Sequence, residues 1–399
     1  EDVDGNVYID FFGGAGVLNV GHSNPAVLEA ARAQMDDLTH TLDIPSPPRQ
    51  ALVEALRAVL PAELSRLFFA GPTGSDAVES AVKLAKYNTH RIPVVAFEGS
   101  YHGMTAGALS LTSGEPFRAD FLPLVPETHF LPYAYCYRCA FGKSPESCGL
   151  HCAAYLDHKL EDPHSGIAKP AAVIVEAIQG EGGSIVPPDG WLAAVRAVCD
   201  KRDVLLIVDE IQAGFCRTGK FFAFEHSGAV PDIVTMSKAL GGLGFPISGI
   251  AYREGLNTMP RGKHIGTFRG NVVAYAAGAA SARFMLDHGL AARADRLGRV
   301  MLEALKALEK DSVIVGEARG RGLMLGVEFV EDKATRQPAP ELAAKVRTAC
   351  HRRGLLIEVG GHYFNVARFL PPLVVTEAHA RKGLEIFAEA VRTVEKSGR

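Results

Sequence analysis

The sequence predicts an α/β fold: a parallel-stranded, doubly wound sheet covered by helices, followed by a smaller α+β unit. Three observations point to it. Between about residues 65 and 285, short apolar runs bounded by Gly and Pro alternate with longer amphipathic segments. The runs show no polar alternation, as expected of strands buried on both faces. After Gly289 this order gives way to longer helical stretches with fewer strands between them.

In chain order, residues 67–70, 94–97, 172–175, 204–208 and 233–236 read as buried strands, with 76–88, 192–201 and 272–287 as helices packed on them. Ligands of such a sheet bind at the carboxyl ends of its strands. The smaller unit reads as a helix over 291–309, a strand over 322–329, a helix over 341–353, a strand near 355–359 and a final helix over 377–395. Residues 1–42 precede the first strand of the large sheet and are expected to pack with the C-terminal unit. The predicted division is therefore 1–42, 43–288 and 289–399.

Hydrophobic residues make up 47% of the 399 and charged residues 22%, the balance of a soluble globular protein. The 42 basic and 45 acidic residues leave a net charge of -3 with no basic run, which argues against nucleic-acid and membrane partners. No apolar stretch reaches the length of a bilayer span. Glu1 opens an acidic segment without the pattern of a signal peptide, and the missing initiator Met suggests residues upstream of this sequence. Seven cysteines, an odd number in a large chain, suit a reducing, cytoplasmic setting.

The strand ends carry the candidate chemistry. The first run leads into Gly71-Pro72-Thr73-Gly74-Ser75-Asp76 and a helix. Glycine lets the backbone approach a ligand there, and unpaired helix N–H groups suit a phosphate, with Ser75 adding a hydroxyl. A tight turn with Asp76 as helix cap explains the same residues. The third run ends in Glu176, followed by Glu181 among Gly180, Gly182 and Gly183, which serves either a site or a solvated loop. The fourth delivers Asp209 and Glu210 from a buried strand. An ionised carboxylate at that depth needs a partner such as a protonated ring nitrogen, unless Asp209 caps the next element. The fifth delivers Lys238 ahead of a glycine-rich loop. Partial burial makes such an amine a nucleophile for aldehydes, although a lone lysine more often snorkels to solvent. Together, a phosphate cradle, a carboxylate for a ring nitrogen and an amine for an aldehyde match the three handles of pyridoxal phosphate.

These residues lie in blocks that resemble class III aminotransferases, the fold-type-I pyridoxal phosphate enzymes that include 4-aminobutyrate, ornithine and diaminobutyrate transaminases. The blocks are residues 13–25 (GGAGVLNVGHSNP), 73–79, 99–105 (GSYHGMT), 176–183 (EAIQGEGG), 209–219 (DEIQAGFCRTG), 237–242 and 368–373 (RFLPPL), so the likeness runs nearly end to end. It implies a mostly parallel, seven-stranded sheet in the large domain, a small α+β domain from both termini, and a homodimer with active sites at the interface. By the same resemblance, Lys238 would hold the cofactor as a Schiff base and shuttle the proton. Asp209 would pair with the ring nitrogen, Gly74 and Ser75 would hold the phosphate, and Thr267 would reach the phosphate of the neighbouring subunit. Tyr101 and Ile211 would flank the ring, Gln212 would bond its hydroxyl, and Glu176 would lie nearby.

Arg368 resembles the arginine that receives the carboxylate of 2-oxoglutarate or glutamate, and Glu181 its companion when the substrate brings no carboxylate. Arg269, where many members have glycine, and the stretch RGRGLMLGVE bring the pattern nearest to diaminobutyrate:2-oxoglutarate transaminases. Asp76 departs from the usual glutamate. The implied reaction is ping-pong transfer of an amino group from a primary, terminal amine, diaminobutyrate-like first, to 2-oxoglutarate or another keto acid. An amino sugar or polyamine donor is the alternative that residues 358–366 favour by departing from the diaminobutyrate pattern. Racemisation or decarboxylation on the same cofactor is a further one. Cys136, Cys139, Cys148 and Cys152 have a spacing compatible with zinc, with disulfides, or with four free thiols in an insertion, and no metal is assigned to them.

Overall fold

The computed structural model describes residues 1–397. Its central seven-stranded sheet runs in the order Arg66–Phe69, Gly249–Tyr252, Ile233–Met236, Leu205–Asp209, Ala172–Glu176, Val94–Phe97, Thr128–Leu131. All strands point the same way except Gly249–Tyr252, which is antiparallel to both neighbours. The expected mostly parallel sheet is therefore present.

Successive side chains of the inner strands serve opposite layers, as the period of two demands. Val173, Val175, Leu206, Val208 and Val234 enter the larger core, which includes Trp191 and the helix Val272–Asp287. Ala172, Ile174, Ile207 and Ile233 enter the smaller one, against Ala77, Val78, Ala81 and Leu84 of the helix Gly74–Thr89. Both faces being apolar explains why these strands read as continuous runs.

Two strands of this sheet escape the sequence reading. Thr128–Leu131 is an edge strand whose first three residues are only half-buried, so it lacks an apolar run. Gly249–Tyr252 is fully buried but begins on glycine after a glycine-rich loop.

A second, antiparallel sheet has the order Glu358–Gly360, Val366–Phe369, Met324–Phe329, Val315–Arg321. The helices Leu290–Asp311, Pro340–His351 and Glu377–Ser397 cover it. The single strand expected over 322–329 is one arm of a hairpin; its partner escapes because Glu317, Arg319 and Arg321 break its apolar pattern. Val366–Phe369 escapes because it is four residues long and runs into Pro371 and Pro372. At the other end of the chain, Ile9–Asp10 pairs with Leu355–Leu356, and Phe11 meets Phe369 edge-on at 5.7 Å.

Trp191 closes the core beneath the candidate site. It is fully buried, with its ring edge-on to Phe97 and Tyr133, centroids 5.4 and 4.6 Å away. Tyr133 in turn donates its hydroxyl to the Glu176 carbonyl at 3.0 Å. Trp191→Ala is expected to remove about 3–5 kcal/mol of stability, measured by urea unfolding.

Candidate active site

The register of the parallel strands assembles the site. Glu176 lies directly across from Asp209, and Asp209 across from Thr235, at the carboxyl ends of three adjacent strands. Lys238 follows two residues beyond the end of Ile233–Met236, and Gly74 opens the helix after Arg66–Phe69. Lys238, Asp209, Glu176, Gly74, Ser75, Tyr101, Ile211, Gln212 and Glu181 border one cavity of about 700 Å³. Nine of the eleven residues expected of a site thus share one chamber.

Asp209 is buried and held on both oxygens. Oδ1 accepts from the Thr235 hydroxyl and the Ile211 N–H, each at 3.0 Å, and Oδ2 accepts from His102 Nδ1 at 2.7 Å. The His102 side chain is fully enclosed, and its Nε2 has no partner. Such a network fixes the direction of the carboxylate before any ligand arrives. His102 and Thr235 had no role in the sequence reading. Both lie beside singled-out residues, but only the tertiary fold turns them onto Asp209.

The anion cradle and the helix cap coexist. Asp76 Oδ2 accepts from Thr73 N at 2.9 Å and Thr73 Oγ1 at 2.7 Å, and Asp76 N donates back to the Thr73 carbonyl. The cap thus straddles Gly74 and Ser75, whose N–H groups belong to the first turn and lack helical acceptors. Gly74 is closely packed: a Cβ there would stand 3.0 Å from Ile211 Cδ1 and press that side chain aside.

Burial sets the titration of the site. It pushes the Lys238 amine down to about 8, with Arg368 lowering it further and Glu181, Asp209 and Glu176 opposing. The amine donates to the Ala15 carbonyl at 3.1 Å. Burial pushes the Glu176 carboxyl up to about 7, although His102 and the N–H groups of Gly180 and Tyr101, at 2.8 and 3.0 Å, oppose it. Glu210 faces away from the chamber. It caps the turn Ala223–Ser227 through the N–H groups of Ala223 and Phe224, both at 2.8 Å.

Arg368 is buried on the strand Val366–Phe369 and pairs with Glu181, while its Nη2 donates to Gln212 Oε1 at 3.2 Å. The backbone around Glu181 is pinned. Arg319 donates to the Gly183 carbonyl through Nε and Nη2 at 3.0 and 2.9 Å, Ser184 Oγ donates to the Leu325 carbonyl, and Gly361 N donates to the Glu181 carbonyl. Thr267 stands exposed and does not border the chamber of its own chain; its carbonyl accepts from His40 Nε2.

Cys136, Cys139, Cys148 and Cys152 are half-buried free thiols around a separate small cavity. Among the described residues, no three His, Cys, Asp or Glu side chains stand together as metal ligands.

Residues 1–391 match the family described as aminotransferase class-III. The chain is a class III aminotransferase. It is 42% identical over 98% of its length to a diaminobutyrate–2-oxoglutarate aminotransferase of Haemophilus influenzae, covering 87% of that protein. It is 43% identical over 94% of its length to the enzyme of the same name from Rhizobium meliloti, covering 82% of it. Among solved structures, an (S)-enantioselective omega-transaminase from Thermomicrobium roseum superposes with a TM-score of 0.90 at 32% identity, over 98% of this chain and 90% of that one.

Aminotransferases of this class work with pyridoxal phosphate, and the residues present fit it. A bare-glycine helix start, a doubly anchored carboxylate and a low-basicity amine border one chamber, and their chemistries match phosphate, ring nitrogen and aldehyde.

The lowered lysine pKa has a stability signature. Below about pH 8 folded and unfolded chains both hold the proton, so the cofactor-free protein bears the full penalty of a buried ammonium. Between about 8 and the usual 10.5 the unfolded chain holds more protons, so stability rises with pH. Lys238→Met is therefore expected to stabilise the cofactor-free protein at pH 7 by about 3 kcal/mol. That gain should shrink toward pH 10.5 in melts run across the range.

Proposed function

We propose that this enzyme transfers the terminal amino group of a diaminobutyrate-like donor to 2-oxoglutarate, using one site for both substrates in turn. The observation that carries the reading is the Arg368–Glu181 pair, in a chain of hydrogen bonds that reaches Lys238 through the Gln212 side chain and the Ala15 carbonyl. When 2-oxoglutarate or glutamate enters, Arg368 would take the carboxylate next to the reacting carbon in a planar fork, and Glu181 would turn away. When the donor presents no carboxylate there, Glu181 would return and neutralise the guanidinium. An unpaired buried cation is expensive, so the pair keeps the site ready for either substrate. The relatives named above, both diaminobutyrate–2-oxoglutarate aminotransferases, support this choice of donor and acceptor.

Bound pyridoxal phosphate supplies an aldehyde that takes up the amino group and a conjugated ring that stores the electron pair left on the substrate carbon. Gly74 and Ser75 would hold its phosphate at the helix N-terminus, joined by Thr267 of the partner subunit. Asp209, steered by His102 and Thr235, would keep the ring nitrogen protonated. Tyr101 and Ile211 would flank the ring, Gln212 would meet its hydroxyl, and Glu176 would border it. The Lys238 amine, of lowered basicity, would move the proton between the substrate carbon and the cofactor.

We also propose a twofold dimer and a cytoplasmic setting. Around Thr267, the apolar side chains of Leu38, Leu42, Ile44, Ile265 and Phe268 are each about half exposed or more, as a covered interface requires. Seven free thiols suit a reducing compartment. No helix among the described residues is long and apolar enough to cross a membrane. The division into residues 1–42, 43–288 and 289–399 belongs to the same proposal, and the pairing of Ile9–Asp10 with Leu355–Leu356 supports it.

The decisive experiment follows each half-reaction of the loaded enzyme by absorbance against a panel of amines and keto acids. Diaminobutyrate is expected to be the fastest donor, and a panel in which it is inert would refute the reading. Lys238→Ala should abolish multiple turnover while cofactor still binds. Arg368→Ala should weaken glutamate and 2-oxoglutarate by about 2 kcal/mol, roughly thirtyfold in kcat/KM, and spare a carboxylate-free amine. Equal losses on both sides would mean that the arginine is structural.

A further inference from the structure

The segment that meets Lys238 has an unusual backbone. From Gly13 to Gly16 the chain makes a left-handed turn, with φ of 56°, 60°, 57° and 87°. Glycine reaches that region freely; Ala15 does not. A strained residue persists only where its surroundings over-determine it, and such residues gather at functional sites.

The surroundings here do so from both ends. Asp10 Oδ1 accepts the N–H groups of Phe12 and Gly13 at 2.7 and 2.9 Å. Gly13 is pressed against the Leu370 carbonyl, where a Cβ would stand at 2.3 Å. Beyond the turn, Asn19 donates to the Phe215 carbonyl at 2.7 Å and accepts from the fully buried Arg217. Arg217 also ties down the carbonyls of Leu323 and Pro371. The outcome is one backbone oxygen, that of Ala15, receiving two donors: Lys238 Nζ and Gln212 Nε2, each at 3.1 Å.

We propose that the Ala15 carbonyl is the resting partner of the Lys238 amine whenever that amine is free, and that the left-handed turn exists to present it. Ala15 is thus a positioning residue acting through its backbone. Resting on the transaminase reading, which frees the amine in every cycle, the assignment adds where the amine waits. The choice of a neutral acceptor has a chemical reason. Glu181, Asp209 and Glu176 all face this amine and favour its charged form, whereas Arg368 opposes it. A fourth carboxylate as the holder would stabilise the ammonium further and deprive the amine of the lone pair it needs. A carbonyl favours the ammonium less than a carboxylate would and still accepts an N–H of the neutral amine.

The test compares Ala15→Val with Ala15→Asn. Both add bulk to the same wall, but asparagine tolerates the left-handed region and a β-branched residue does not. Covalent capture of pyridoxal phosphate by the full-length, cofactor-free chain is followed by absorbance from pH 6 to 10, with binding of non-condensing 4-deoxypyridoxine phosphate as control. The valine variant should capture roughly five- to tenfold more slowly with a shifted pH midpoint, as loss of one hydrogen bond implies, while binding the control normally. The asparagine variant should keep the wild-type midpoint and rate. Valine and asparagine variants that behave alike, whether both normal or both slow, would overturn the proposal. Should Ala15→Val fail to fold, Asp10→Ala removes the acceptor of the Phe12 and Gly13 N–H groups, loosens the turn and should shift the midpoint in the same direction; an unchanged midpoint would overturn it equally. Wild-type protein that never captures the cofactor would instead refute the transaminase reading itself.

Discussion

Lys238 brings a primary amine to the carboxyl edge of a buried sheet, where loss of water lowers its basicity to about 8. A charge in that position is tolerated only if its neighbours are fixed, since the low local dielectric magnifies every misplacement. The neighbours are fixed. Asp209 is locked by His102 and Thr235, Glu176 by two backbone N–H groups, and Arg368 by Glu181 and Gln212. Much of the surrounding architecture serves this end. The strand register sets Glu176, Asp209 and Thr235 side by side, and the second sheet holds Arg368 on a fully buried strand.

The two sheets contribute differently. The central sheet supplies the proposed cofactor groups from the ends of parallel strands, where they border one chamber. The second sheet supplies Arg368, the proposed substrate group, from the middle of an antiparallel strand, where it pairs with Glu181. Arg217 links both to the N-terminal turn, bonding carbonyls and an amide without any carboxylate partner, and burial pushes its guanidinium down to about 9.

The groups on the central strands were legible in the sequence because continuous apolar runs mark strands buried on both faces, and polar residues closing such runs stand out. Lys238 and Asp209 are of this kind. Arg368 was legible only through the resemblance of its motif, since its strand is too short to show a period. His102 and Ala15 were not legible. Each acts through a direction, a ring turned onto Asp209 and a carbonyl turned toward Lys238, and direction in a turn depends on distant anchors such as Asp10, Asn19 and Arg217. The edge strand Thr128–Leu131 was hidden for the opposite reason: its exposure removes the apolar signal.

The pinned backbone beside Glu181 has a consequence for timing. Arg319, Leu325 and Gly361 hold the segment at Gly183, Ser184 and Glu181 itself, while the Glu181 side chain keeps 31% of its surface open. In the proposed cycle, exchange between the two substrates would then require a rotamer change of the Glu181 side chain and no movement of its backbone. Lid motions on the microsecond-to-millisecond scale are not needed for it. The proposed alternation of partners would then cost the enzyme one broken ion pair and no rearranged backbone.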